Sequence, residues 1–208
     1  MAARKPAFAD SVFINCPFDP AYWPLLEAVL FAVIGCGFVP RCALEAHDSG
    51  QPRLEKILRL IDESKYGIHD LSRVELDDMA GLPRFNMPFE LGLDLAARRF
   101  APKGSRLKSK QLLVMEAERY RYQALVSDIA GQDIRAHGNA PDTVIETVRD
   151  WLRTASGRTT LPGPVVLTND FSAFSAAVPS IARDAGVDAT KLTYLDYVQF
   201  ATSWLGVS

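Results

Sequence analysis

Signals for a strand and then a helix recur five times between residues 10 and 155, roughly thirty residues apart, and few architectures accept that pattern. A helix between two strands returns the chain to the edge it left. Successive strands therefore run parallel, with helices on both faces of one sheet. Right-handed crossovers prune the remaining topologies. The expectation is an α/β fold, a doubly wound five-stranded parallel sheet of flavodoxin-like order 2-1-3-4-5, followed by a C-terminal helical appendage. In such sheets ligands bind beyond the carboxyl ends of the strands, where the strand order reverses. Here that means the loops after the first and third strands.

Residues 11–15 form a short β-rich run, ended by a loop that holds Pro17, Asp19 and Pro20. Leu25, Leu26, Val29, Leu30, Val33 and Ile34 then fall at helical spacing, and Gly35 and Gly37 stop that helix. Residues 38–44 read as the second strand, and residues 46–52 as a polar loop in which 48–50 form either a lid or a turn. Leu54, Ile57, Leu58 and Ile61 mark the second helix, and residues 66–71 the third strand. A long loop over 72–86 leads to a helix with Pro88 in its first turn, running to about Arg99. A fourth strand is expected over 110–115, a helix over 120–129, a fifth strand over 133–137 and an amphipathic helix over 141–154. Residues 1–155 make the α/β unit. Residues 156–208 make a linker and two helices, over 171–185 and 189–205, with Asp188 as a cap for the second. That tail is too small for its own core and packs on the α/β unit or on a partner.

Composition narrows the function classes. Of 208 residues, 48% are apolar and 23% charged, enough for a real core, and the formal net charge is −2. A chain without a basic field is poorly suited to gripping a phosphate backbone, so direct nucleic-acid binding is not expected. The three cysteines, Cys16, Cys36 and Cys42, lack metal-ligand spacing and read as reduced thiols. The N-terminus has no signal-peptide core. The apolar stretch over 25–39 carries Glu27 and is too short to span a bilayer. A cytoplasmic protein without a membrane segment is the expectation. No G-x-G-x-x-G, P-loop or G-x-S-x-G elbow is present.

Several side chains sit where the fold puts chemistry. Glu90, early in the helix after the third strand, projects toward the strand-end crevice. Burial beside Phe85 and Phe89 would tune its carboxyl for acid/base or nucleophilic use. A first-turn glutamate that only favours the helix dipole is the plainer alternative. Asp70 and His69 end the third strand. Asp70 either meets a ligand or caps the loop, and His69 is more simply a packed residue. Ser72 and Arg73 follow, the latter a fork for phosphate or carboxylate, or a partner for Glu75 or Asp70. After the first strand, Asn15, Phe18 and Asp19 offer a polar contact, an aromatic face for a base and a carboxylate for a ribose hydroxyl. Capping by Asp19 and core closure by Phe18 explain them equally. Arg41 ends the second strand within reach of a phosphate, and Asn86 precedes the Glu90 helix. Cys16 has no base beside it and reads as a buried small residue.

The stretch from Val12 to Asp19 and its following helix resemble the start of nucleoside 2-deoxyribosyltransferases, which also carry a Pro-Phe step after strand one. The run from Phe89 to Ala97 is similar to their helix bearing the catalytic glutamate. TIR domains share this layout, with a glutamate on the helix after strand three. Residues 85–92 and 127–134 also resemble an uncharacterised bacterial group. The likeness covers about residues 10–155.

This resemblance implies cleavage of an N-glycosidic bond in NAD or a nucleoside, with Glu90 at the ribose carbon. Asp70 and Asn86 would hold ribose hydroxyls, and Phe18 would stack on the base. NAD would be substrate rather than cofactor, and no other cofactor or metal is expected. Bacterial TIR-like enzymes act in antiviral defence and often need assembly, so a homo-oligomer or partner protein held by the C-terminal helices is a further expectation. Two alternatives remain: a non-catalytic nucleotide sensor, and an interaction module that uses Tyr194, Tyr197, Phe200 and Trp204. Aromatics at that spacing more often face a core.

Overall fold

The computed structural model describes residues 6–45, 50–72, 85–124, 126–129 and 131–207. Strands β1 (Ser11–Asn15), β2 (Val39–Arg41), β3 (Tyr66–Asp70), β4 (Gln111–Glu116) and β5 (Arg135–Ala136) pair in parallel in the order 2-1-3-4-5. Every residue of β1 and of β3 is buried. Continuous burial is the signature of strands covered on both faces. Register aligns the functional ends: Asn15 lies opposite His69, and His69 opposite Val114.

The two faces of β3 carry different cargo because successive side chains alternate. Tyr66 and Ile68 join the core formed with α1 (Trp23–Gly35) and α4 (Pro141–Ser156). Gly67 and His69 face α3 (Asn86–Phe100), where His69 meets Asp94. Helix α2 (Arg53–Glu63) shares that side, packing Ile57, Leu60 and Ile61 on Phe13 of β1.

Gly67 is needed for close approach. A Cβ there would lie 2.5 Å from Asp94 Oδ2, 2.7 Å from Leu112 Cδ2 and 3.0 Å from His69 Nε2. Gly67→Ala should therefore cost about 1–3 kcal/mol, the usual range for overpacking a filled core. Denaturant titration checks this. A loss below a few tenths of a kcal/mol would show that the neighbours move aside freely.

Helix α1 is buried on every side, from Leu25 through Ile34 except Glu27. One side meets the sheet, and the other meets α5 (Pro164–Asp184) and α6 (Tyr194–Leu205). The Phe31 ring stacks on Phe174 at 5.4 Å and meets Phe171 edge-on at 5.5 Å. Tyr194 and Tyr197 hydroxyls donate to the carbonyls of Pro40 and Glu27 at 2.7 and 3.0 Å. Gly35 permits this docking, because a Cβ there would lie 2.6 Å from Leu167 Cδ2. The tail thus shares the core of the α/β unit, and Tyr194, Tyr197 and Phe200 point inward. Helix α5 is long and apolar enough, by length and composition alone, to cross a bilayer, with mean hydropathy 1.2 and 22% of that window buried. Its Leu167, Phe171 and Phe174 are the residues that face α1 and α6.

Some boundaries differ from the sequence reading. The second strand spans three residues rather than 38–44, and a 3₁₀ turn, Ala43–Glu45, follows at once. Leu44 N–H turns back on Cys42 Sγ at 3.4 Å there. Residues 120–129 form two 3₁₀ turns, Arg121–Ala124 and Ser127–Ile129, not one helix. The fifth strand keeps two residues, because β4 pairs with it only through Met115 and Glu116. Asp188 caps the 3₁₀ turn Ala189–Lys191, whereas α6 starts on a capping box between Thr193 and Asp196. Helix α3 begins at Asn86, so Glu90 sits in its second turn.

Candidate functional site

A cleft of about 500 Å³ opens where β1, α2 and α3 meet at the carboxyl ends of the strands. Strand β1 delivers Asn15, and the loop after it delivers Phe18 and Asp19. The start of α3 brings Asn86 and Glu90, and the start of α2 brings Arg53. Phe18 is half-buried and packs against both the α1-side and the α2-side cores. Asp19 Oδ1 accepts the Tyr22 N–H at 3.1 Å, so this carboxylate shapes the turn into α1 as well as lining the cleft. Asn86 is exposed at the rim.

Glu90 is 7% exposed although it lines the cleft. Burial pushes its carboxyl above the ordinary glutamate range, against the opposing pull of Arg53. Arg53 Nη2 stands 3.5 Å from Oε1, too long for a tight fork, and its own side chain is mostly in solvent. A second-turn position also removes most of the dipole stabilisation that would explain a first-turn acid. Cys16 lines the same cleft, but burial, then the negative charges near it, push its thiol well above the usual range. It is a poor nucleophile at neutral pH.

Behind the cleft runs a buried polar chain. Asn15 Nδ2 donates to His69 Nδ1 at 3.0 Å and to the Met87 carbonyl at 2.9 Å. With Nδ1 accepting, His69 carries its proton on Nε2 and donates to Asp94 Oδ2 at 3.1 Å. Asp94 Oδ1 pairs with Lys110 Nζ at 3.1 Å, and both side chains are wholly buried. Lys110 also donates to the carbonyls of Ile61 and Ser64 at the C-terminal end of α2. Burial lowers the Lys110 ammonium from its ordinary value, with Asp94 opposing.

Asp70 and Ser72 belong to a different network, on the α1 side of the sheet. Asp70 Oδ2 accepts from Tyr22 Oη at 2.6 Å and His137 Nε2 at 2.9 Å. Its Oδ1 accepts the Ser72 N–H at 2.8 Å and the Ser72 hydroxyl. A Ser-His-Asp trio results, with Ser72 Oγ 2.9 Å from His137 Nε2. It is not a nucleophile with its base. His137 Nδ1 accepts the Asn139 N–H at 3.0 Å, which leaves the proton on Nε2, the nitrogen facing Ser72. This knot braces β3 against α1 and the loop after β5. It floors a second cavity of about 490 Å³, lined by Tyr22, Ser72, Arg121 and Asn139 among others.

Burial alone would raise the Asp70 carboxyl, but the hydrogen bonds from His137, Ser72 and Tyr22 outweigh it and hold the carboxyl below the usual range. Such a group stabilises the fold above its unfolded value of about 3.9, and that contribution is lost as pH falls through the lower folded value. Denaturant stability of the wild type should therefore fall below about pH 4 more steeply than that of Asp70→Asn. Parallel curves would refute the assignment.

Of the residues expected from the sequence, Asn15, Phe18, Asp19, Asn86 and Glu90 meet in one cleft. Asp70 and Ser72 lie in the second network. Arg41 lies apart, buried at the end of β2 and held by Glu45 at 2.7 Å and Glu63 at 3.2 Å, so carboxylates already neutralise it. Arg73 and residues 48–49 of the expected lid lie outside the described residues. The sequence reading missed Arg53, Asp94, Lys110 and His137. A signal existed for Asp94, four residues after Glu90 and hence on the same helix face. His137 follows the fifth strand, a strand-end position like the one that drew attention to Asp70. Set against protein-family models, curated proteins and solved structures, the chain matches none.

Proposed function

We propose that the chain is an N-glycosidase-type enzyme that cleaves NAD or a nucleoside at the ribose carbon, with Glu90 as the catalytic carboxylate. The observation that carries this reading is a buried glutamate with a raised carboxyl lining a nucleoside-sized cleft beside an aromatic ring. In the reaction the C1′–N bond breaks and its electron pair leaves with the base. Glu90 stabilises the oxocarbenium-like centre or attacks it. Water then supplies hydroxide to C1′, and its proton goes to the base or to solvent. Phe18 offers a face for the base, and Arg53 a cation at the rim. Ribose contacts fall to Asn15, Asp19 and Asn86 rather than to Asp70, whose oxygens are fully engaged elsewhere.

The test incubates the protein with NAD and a panel of nucleosides and follows base release by chromatography. Release supports the enzyme. A ligand-dependent rise in melting temperature without release turns the cleft into a sensor and removes the catalytic reading. Neither response would sink both.

A further inference from the structure

We infer that Asn15, held oxygen-outward by His69, reads the 2′-hydroxyl of a ribose, so that the cleft takes ribonucleosides or their nucleotides in preference to 2′-deoxy forms. The inference rests on Glu90 acting at the anomeric carbon. An amide nitrogen has two hydrogens, and Asn15 commits both: one to His69 Nδ1 at 3.0 Å, one to the Met87 carbonyl at 2.9 Å. What remains to offer the cleft is the carboxamide oxygen, an acceptor only. The orientation is not free to reverse. A flipped amide would set its oxygen against the Met87 carbonyl and against the unprotonated Nδ1, two acceptors facing an acceptor. Nδ1 in turn stays unprotonated because Asp94 takes the Nε2 proton at 3.1 Å, and Asp94 is fixed by Lys110 at 3.1 Å.

Asn15, His69, Asp94 and Lys110 are each at most 3% exposed, so solvent does not compete for their bonds. The charged neighbours around it are Asp94 and Glu90 from α3 and Lys110 from the turn before β4, with Arg53 beyond Glu90. Asn15 and Glu90 line one cavity. With Glu90 at C1′, the hydroxyl on the adjacent carbon is the first donor an acceptor beside it can meet. A site that bonds a hydroxyl rejects an analogue lacking it, because the acceptor is then desolvated without a partner.

Asn15 therefore sets specificity, and His69 is a positioning residue that acts through it. The test is calorimetric binding of NAD, adenosine, 2′-deoxyadenosine and 3′-deoxyadenosine to the full chain. The wild type should bind 2′-deoxyadenosine at least about tenfold more weakly than adenosine. His69→Phe keeps a ring edge-on to Phe13 but cannot accept from Asn15, and the ratio should fall below about threefold. His69→Gln can accept from Asn15 and donate to Asp94, and should restore discrimination. Circular dichroism on both variants separates this ratio from a loss of fold.

Equal affinity for the ribo and 2′-deoxy ligands overturns the inference and leaves the Glu90 reading standing. Discrimination without base release does the reverse. Discrimination that survives in His69→Phe removes His69 from the account. No binding by any of the four ligands overturns both.

Discussion

Glu90→Gln abolishes base release, by at least about a hundredfold in kcat, while the melting temperature stays the same or rises. The two halves have one cause. Burial raises the Glu90 carboxyl, so the folded state favours the protonated form. For a carboxyl raised on folding, stability is greatest below the unfolded value near 4.3 and declines as pH climbs through the folded value. At neutral pH the carboxylate is a cost, and the neutral amide of the same shape escapes it. The pair with Arg53 offsets little, since its distance is 3.5 Å and the arginine is 58% exposed. A residue retained at a cost to the fold is what a catalytic carboxylate looks like. The same shift sets the pH profile. If the carboxylate is the active form, the acid limb of kcat/KM lies above the ordinary glutamate range and disappears in Glu90→Gln along with the activity. Base release within tenfold of wild type, or a melting temperature lowered by several degrees, would make Glu90 structural.

The sheet order and the crevice were legible because both follow from alternation. Five strand–helix repeats leave few topologies, and the topology names the loops that meet at the strand ends. Asn15, Phe18, Asp19 and Glu90 are legible in that way, by position before chemistry. Alternation within a strand divides the site further. His69 and Asp70 are neighbours in sequence, so they must serve opposite faces. Only His69 could reach the Glu90 side, and Asp70 was bound to join α1. Arg53 gave no local signal. Its place at the cleft depends on how α2 lies across the sheet, which no window of sequence contains. The covering role of α5 and α6 did have a signal in α1, whose apolar residues leave almost no polar face. A helix of that kind must be buried on both sides.

Asp94→Ala should destabilise the fold by about 3–5 kcal/mol, the range for removing one partner of a buried ion pair. Lys110 would remain wholly buried, its charge opposed by the carbonyls of Ile61 and Ser64 and, more weakly, by Asp62. His69 Nε2–H would lose its acceptor at the same stroke. The double variant Asp94→Leu/Lys110→Met separates the two costs. It removes both charges at similar bulk and should recover part of the loss, though not all, since the two carbonyls at the end of α2 are then unpaired. The two substitutions must be strongly non-additive, because the penalty of the first lies in the charge that the second deletes. Urea titrations of the singles and the double provide the cycle. Additive effects would mean that Lys110 sheds its proton, for which burial has already lowered its ammonium, rather than standing as a buried cation. In that event the Asp94 carboxylate is held by His69, and the chain behind Asn15 ends one residue sooner.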